Sequence, residues 1–166
     1  YNTSQKKFTF GQPLFGLEPA VAARKGQLIC VPTTSGSGAD VSPFAVIADE
    51  KGVKHTVADH SFLPEVAIVD HTLCRTLPQH VRAEGGFDIL ANAVEACLSL
   101  RSSSYADGLA ARAVTLVFDN LVASIAGDDR ALEQVHNAAT IAGMAAGNAM
   151  TGLAHTLARA VESFFK

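Results

Sequence analysis

Short apolar runs separated by turn-forming residues occupy the chain from about Gly26 to Val69, and long stretches of helical periodicity occupy most of the rest. The first region holds four strand-like segments, at 28–31, 44–48, 54–58 and 66–69, the third of them (Lys-His-Thr-Val-Ala) more polar than the others. Runs of four or five residues rich in Val, Ile and Ala, bounded by Gly, Pro and Asp, predict strands; residues 49–52 (Asp-Glu-Lys-Gly) predict a hairpin turn between the second and third. From Leu77 onward the strands stop. Pro78 can open a helix, and residues 87–100 place Ile89, Leu90, Ala93, Val94, Cys97 and Leu98 at helical spacing. Residues 105–125 repeat the pattern with Leu109, Ala113, Leu116, Val117 and Leu121 as the apolar stripe. Gly127 reads as a stop and Asp128-Asp129 as the N-cap of a third helix over 131–150; Thr151-Gly152 breaks that run before a last helix over 153–165. The pattern predicts an α/β segment over 1–77 followed by an all-α segment over 78–166, with no internal repeat.

Composition sharpens this. Of 166 residues, 48% are hydrophobic and only 17% charged. With a mean hydropathy of +0.21 the chain is apolar for a freestanding domain. Surplus apolar surface calls for a partner, so the expected partners are further copies in a homo-oligomer or other parts of the same fold. A net charge of −3 argues against nucleic acid and against an anionic membrane. No apolar run is expected to reach transmembrane length, and residues 1–10 lack a signal-peptide pattern. Cys30, Cys74 and Cys97 are odd in number and far apart in apolar surroundings. They predict reduced core thiols in a cytoplasmic protein.

The candidate chemistry begins directly after the first strand, where residues 32–43 read Pro-Thr-Thr-Ser-Gly-Ser-Gly-Ala-Asp-Val-Ser-Pro. Gly36 and Gly38 allow a positive φ or a close backbone approach, and Thr33, Thr34, Ser35 and Ser37 can donate hydrogen bonds to phosphate or ribose oxygens. A plain turn is the alternative reading.

This loop resembles the Thr-Thr-Ser-Gly-Thr-Gly-Ser-Glu segment of the iron-containing (group III) alcohol dehydrogenases, which include the alcohol dehydrogenase half of the bifunctional aldehyde–alcohol dehydrogenases. Further segments follow in family order: Gly52-Val53-Lys54, Leu63-Pro64-Glu65 running to Asp70, Leu77-Pro78, and Gly85-Gly86-Phe87-Asp88 with Glu95. His136-Asn137-Ala138 with Ala142-Gly143-Met144 and Gly152-Leu153-Ala154-His155 complete the set. The resemblance runs from about Gln27 to Lys166 and implies part of the two-domain fold shared with dehydroquinate synthase. On that reading 1–77 is the C-terminal part of a nucleotide-binding α/β domain and 78–166 the N-terminal part of a helical metal-binding domain. It implies alcohol–aldehyde interconversion with NAD(P) and a divalent iron or zinc, with a small alcohol or aldehyde as substrate. Thr33, Thr34 and Ser37 would contact the cofactor, Lys54 would sit near its ribose or phosphate, and Asp88 and His155 would be metal ligands.

The chain departs from the family pattern in two places. One helical turn after Asp88, where the family commonly has a second ligand His, stands Asn92; four residues after His155, where it usually has a pocket His, stands Arg159. An ion pair between Asp88 and Arg159 is one expectation from these changes. A further ligand His, in a Pro-His-Gly segment, would fall beyond Lys166, and the Gly-rich diphosphate loop of the family would precede the hydroxyl loop. Plainer readings stand beside these. Asp88, after Gly85-Gly86, could cap a helix start. Glu95 reads as a hydrogen-bond partner on the other side of that helix. His155 is by default a satisfied core histidine, and His136 reads as structural. His55, His60, His71 and His80 read as solvated loop residues. Asn148 reads as packed between helices, and the run 138–149 with Gly143 and Gly147 suits close helix approach. Three functional classes follow: an oxidoreductase, an inactive relative acting as an interaction or assembly module, and a piece with no stable fold of its own.

Overall fold

A computed structural model of the chain describes residues 26–48 and 54–162. Among these residues the α/β region shows two separate strand pairs. Strands β1 (Ile29–Cys30) and β4 (Val66–Ala67) run parallel, with Ile29 opposite Val66 and Cys30 opposite Ala67. Strands β2 (Phe44–Ala48) and β3 (Lys54–Ala58) form an antiparallel hairpin paired from Phe44 with Ala58 to Ala48 with Lys54. The hairpin arms match the sequence pattern, while the predicted turn over 49–52 lies outside the described residues. The parallel strands are shorter than their apolar runs. A parallel pair is normally covered on both faces, whereas here Ile29, Val31, Val66 and Ile68 are all 43–52% exposed.

Four helices follow: α1 (Gln79–Leu98), α2 (Ser104–Ala126), α3 (Asp129–Ala149) and α4 (Leu153–Glu162). The first three pack together around Ile89, Ala93 and Ala96 of α1, Ala106 to Val117 of α2, and Val135 to Ala149 of α3. Alanine at most contact positions lets the helix axes approach closely. The link between α2 and α3 follows the stop and cap read from sequence. Gly127 ends α2 with φ of 101°, and the Asp128 carboxylate accepts the Ala131 N–H at 2.7 Å to start α3.

Several expectations are corrected. Helix α1 begins at Gln79, so Gly85-Gly86 lies inside it and Asp88 is a mid-helix residue, not a cap. The glycines are there for packing: a Cβ on Gly85 would run into the Ser35 carbonyl, and one on Gly86 into the Leu121 side chain. The buried stripe of α1 is Ile89, Ala93 and Ala96, which leaves Val94, Cys97 and Leu98 outward. Cys97 is therefore exposed and Cys30 only half-buried; all three cysteines are free and Cys74 alone is a core thiol. Asn148 is exposed and donates back to the Met144 carbonyl instead of packing between helices. Gly143 and Gly147 of α3 meet not another helix but the loop over 32–43, through Gly38 and Pro43. The expectation that no run reaches transmembrane length also fails for α2, which is long and apolar enough by length and composition. It packs against α1 and α3 through Ala106, Ala110, Ala113, Leu116 and Val117, with Phe118 and Val122 facing outward.

Candidate active site

The hydroxyl-rich loop alternates between anchors and presenters. Ser35, Gly36, Gly38 and Asp40 are buried, whereas Thr33, Thr34 and Ser37 are exposed. Each anchor has a partner on the helices. Gly36 faces the Gly85 backbone of α1, and Gly38, with φ of 61°, lies against Gly143 of α3 so closely that a Cβ would sit 2.5 Å from the Gly143 Cα. Asp40 accepts the Thr140 hydroxyl at 2.9 Å, and Ser35 Oγ lies 2.9 Å from His136 Nδ1. The helices thus set the loop's conformation, and the three exposed hydroxyls are what remains for a ligand. Between loop and α1 runs an open cleft of about 280 Å³, lined by Thr34, Ser35, Gly36 and Ser37 on one side and by Val81, Glu84, Gly85 and Asp88 on the other.

Asp88 connects this cleft to α4. Its Oδ1 lies 3.7 Å from His155 Nε2, and the Asn92 amide, buried one turn along α1, stands 3.5 Å from the same oxygen as donor. His155 is fixed from behind by Glu95, whose Oε2 takes Nδ1 at 2.5 Å. Glu95 also accepts the N–H groups of Gly152 at 3.0 Å and Ala154 at 2.6 Å, the first turn of α4. The expectation that Glu95 lies on the other side of α1 is therefore wrong. Residues seven apart share a helix face, and Asp88 and Glu95 grip one imidazole from that face.

The charges follow from this geometry. The Asp88 carboxylate facing Nε2 raises the pKa of His155; burial opposes it and Glu95 reinforces it. Burial alone would raise the Glu95 carboxyl, but the Gly152 N–H, the His155 ring and the Ala154 N–H together hold it below the ordinary carboxylate range. Other histidines also depart from the sequence reading. His71 reaches Asp129 at 3.4 Å, beside Arg75, which grips the same carboxylate through two N–H groups at 2.7 Å. Those contacts draw the Asp129 carboxyl down to about 2. His80 lies on α1 instead of in a loop, though it is exposed as expected, and His60, exposed in a 3-10 turn, agrees with the sequence reading. The side chains of Lys54, His55 and Arg159 lie outside the described residues, and with them the expected Asp88–Arg159 pair.

Comparison with known proteins settles the descent. Residues 82–166 match the profile described as "Fe-containing alcohol dehydrogenase family, C-terminal", and residues 4–71 match "Iron-containing alcohol dehydrogenase". The chain belongs to the iron-containing alcohol dehydrogenase family. It is similar to aldehyde-alcohol dehydrogenase 2 of Entamoeba histolytica, 50% identical over 143 residues, covering 86% of this chain and 16% of that protein. The iron-containing alcohol dehydrogenase of Thermococcus thioreducens superposes with a TM-score of 0.84 at 36% identity, over 90% of this chain and 39% of the other. Sulfoacetaldehyde reductase from Bifidobacterium kashiwanohense, solved in complex with NAD+, gives 0.83 at 31% identity over 89% and 40%. The chain thus spans well under half the length of these relatives.

Iron-containing alcohol dehydrogenases imply a metal, and the donor set can be tested against one. Among the described residues no group of three or more His, Cys, Asp or Glu side chains is arranged to hold an ion. Asp88 and His155 form a pair of ligand types suited to iron or zinc. A carboxylate behind the imidazole is the usual support of a ligating histidine. The pair fits two positions of a divalent site. Asn92, as a donor to Asp88, supplies no third. Glu95 is the hydrogen-bond partner that the sequence suggested, but its partners were missed because they lie 57 to 60 residues away; its seven-residue spacing from Asp88 was the available signal.

Proposed function

We propose that this chain contributes to the interconversion of a primary alcohol and an aldehyde with NAD or NADP and a divalent iron or zinc ion. In this reading Asp88 and His155 hold the metal, while Thr33, Thr34, Ser37 and Lys54 contact the cofactor. The observation that carries it is the position of Asp88. This carboxylate lines the cleft shared with the hydroxyl loop and also faces a histidine whose other nitrogen is already tied down. When bound, a divalent ion supplies Lewis acidity toward an alcohol or aldehyde oxygen. The chain's own residues do the rest. Glu95 fixes the ring so that Nε2 faces Asp88, and Asn92 orients the carboxylate. The exposed hydroxyls of Thr33, Thr34 and Ser37 offer donors to phosphate or ribose oxygens. We place the junction of the nucleotide-binding and helical regions at 77/78; the start of α1 at Gln79 supports it.

Zinc titration calorimetry tests the proposal. Binding requires His155 to lose a proton, so affinity should rise between pH 6 and pH 8. It should vanish in Asp88→Ala and His155→Ala, and fall about 10- to 100-fold in Glu95→Gln. Zinc binding indifferent to Asp88→Ala would sink the assignment. The second reading, a non-catalytic assembly module, is favoured by the outward apolar residues of β1, β4 and α2. Absence of any metal binding would leave that reading in possession.

A further inference from the structure

The buried histidine behind the hydroxyl loop has a hydrogen-bonding pattern with a consequence for the loop itself. His136 is 1% exposed, and its Nδ1 lies 2.9 Å from Ser35 Oγ and 3.4 Å from Cys74 Sγ. Its Nε2 is buried with no partner. Burial lowers the pKa of His136 and raises that of Cys74, so the ring is neutral and the thiol protonated at neutral pH. One ring proton is then shared between two unlike sites. On Nε2 it would be a sealed donor without an acceptor, the rarer kind of defect in folded proteins. On Nδ1 it has the Ser35 oxygen as acceptor, and the donors left over are the Cys74 thiol, a weak donor that costs little unpaired, and the Ser35 hydroxyl hydrogen, a strong one. Ser35 lines the cleft between loop and α1, where that hydrogen can find a ligand.

We propose that His136 is a positioning residue for the loop: its Nδ1–H donates to Ser35 Oγ and leaves the Ser35 hydroxyl as a donor to a phosphate or ribose oxygen in the cleft. This rests on the cofactor reading given above. Ser35 then joins Thr33, Thr34 and Ser37 as a fourth loop hydroxyl offered to the nucleotide, although it is nearly buried. His136 acts only through it. A neighbouring loop hydroxyl without such a histidine could rotate to accept as readily as to donate.

The ring tautomer is read directly by two-bond ¹H–¹⁵N correlation on the ¹⁵N-labelled chain without nucleotide. Nδ1 is expected as the protonated nitrogen and Nε2 as the bare one; the reverse assignment overturns the proposal. NADH titration supplies the second readout. Ser35→Ala and His136→Gln should each weaken NADH about 3- to 10-fold, the range of one hydrogen bond. The double variant should be no weaker than either single one. His136→Asn, whose amide nitrogen can take the place of Nδ1, should stay within about twofold of the unmutated chain. Additive losses, or a His136→Gln variant that melts earlier yet binds NADH as before, would show a merely structural histidine. Failure of the unmutated chain to bind NADH overturns the cofactor reading, and the nucleotide-free ring spectrum tells that result apart from failure of the present inference.

Discussion

The helical and α/β regions of this chain solve the burial problem differently. In α1, α2 and α3 the apolar stripes close on one another, and Ile89, Ala93, Ala110, Ala113, Ala138 and Ala142 reach 0% exposure. In the α/β region the short parallel strands β1 and β4 and their flanks leave Ile29 52% and Ile68 49% exposed. The same residue type therefore carries different weight in the two places. The difference teaches that the bundle carries the stability and that the loop over 32–43 takes its shape from the bundle, not from its own strands. A pair of truncations puts this to the test. Ile89→Ala should cost about 2–5 kcal/mol in chemical denaturation, as for a fully buried large-to-small change. Ile29→Ala should cost under about 1 kcal/mol, because half of that side chain already faces water. Equal losses would mean that the strands are buried in solution by some other surface.

The seam between the two regions is the next place to press. Gly143 is the point where α3 admits the loop, and a Cβ there would lie 2.5 Å from the Gly38 carbonyl oxygen and 2.7 Å from its Cα. Both neighbours are backbone, so the clash cannot be relieved by a rotamer change. Gly143→Ala should destabilise by about 1–3 kcal/mol through overpacking. It should also weaken NADH binding while leaving zinc binding by Asp88 and His155 intact. Loss of both ligands together would show that the loop and the metal pair form one cooperative unit.

The sequence made the helices and the hairpin legible because their signals are local: the Gly127-Asp128 stop and cap, and the strand-like segments 44–48 and 54–58 on either side of a turn. What it hid depends on distant contacts. Gly85-Gly86 looks like a helix boundary until Ser35 and Leu121 are seen against it. Gly143 and Gly147 look like helix-packing residues until the loop is placed. The site residues Asp88 and His155 were named through the family resemblance, but their support by Glu95 required knowing how α4 folds back on α1.

That fold-back has its own pH window. Helix α4 is held to α1 largely through Glu95 and His155. His155 has a folded pKa raised above 6.5. Its contribution is fully present below about 6.5 and lost as pH rises through the raised value. Glu95 has a folded pKa held below 4.5. Its contribution is present above about 4.5 and lost as pH falls through the lowered value. Without metal, amide-exchange protection in α4, corrected for intrinsic rate, should peak between about pH 4.5 and 6.5. Protection that keeps rising to pH 8 would refute the charged clamp. With zinc bound the alkaline loss should disappear, because the ion takes over from the His155 proton.

The smallest effect probes the bundle where nothing else touches it. Gly108 sits on an exposed stretch of α2, and a Cβ added there would meet nothing within 4 Å. Glycine inside a helix costs about 1 kcal/mol relative to alanine through backbone entropy. Gly108→Ala should therefore stabilise the chain by about 0.5–1 kcal/mol and leave NADH and zinc affinities unchanged. Gly26, also in open space but in the α/β region before β1, is the control, since it lies in no helix. Gly26→Ala should gain no helix propensity and stay within a few tenths of a kcal/mol. If the two substitutions stabilised equally, the gain at Gly108 would owe nothing to its place in a helix.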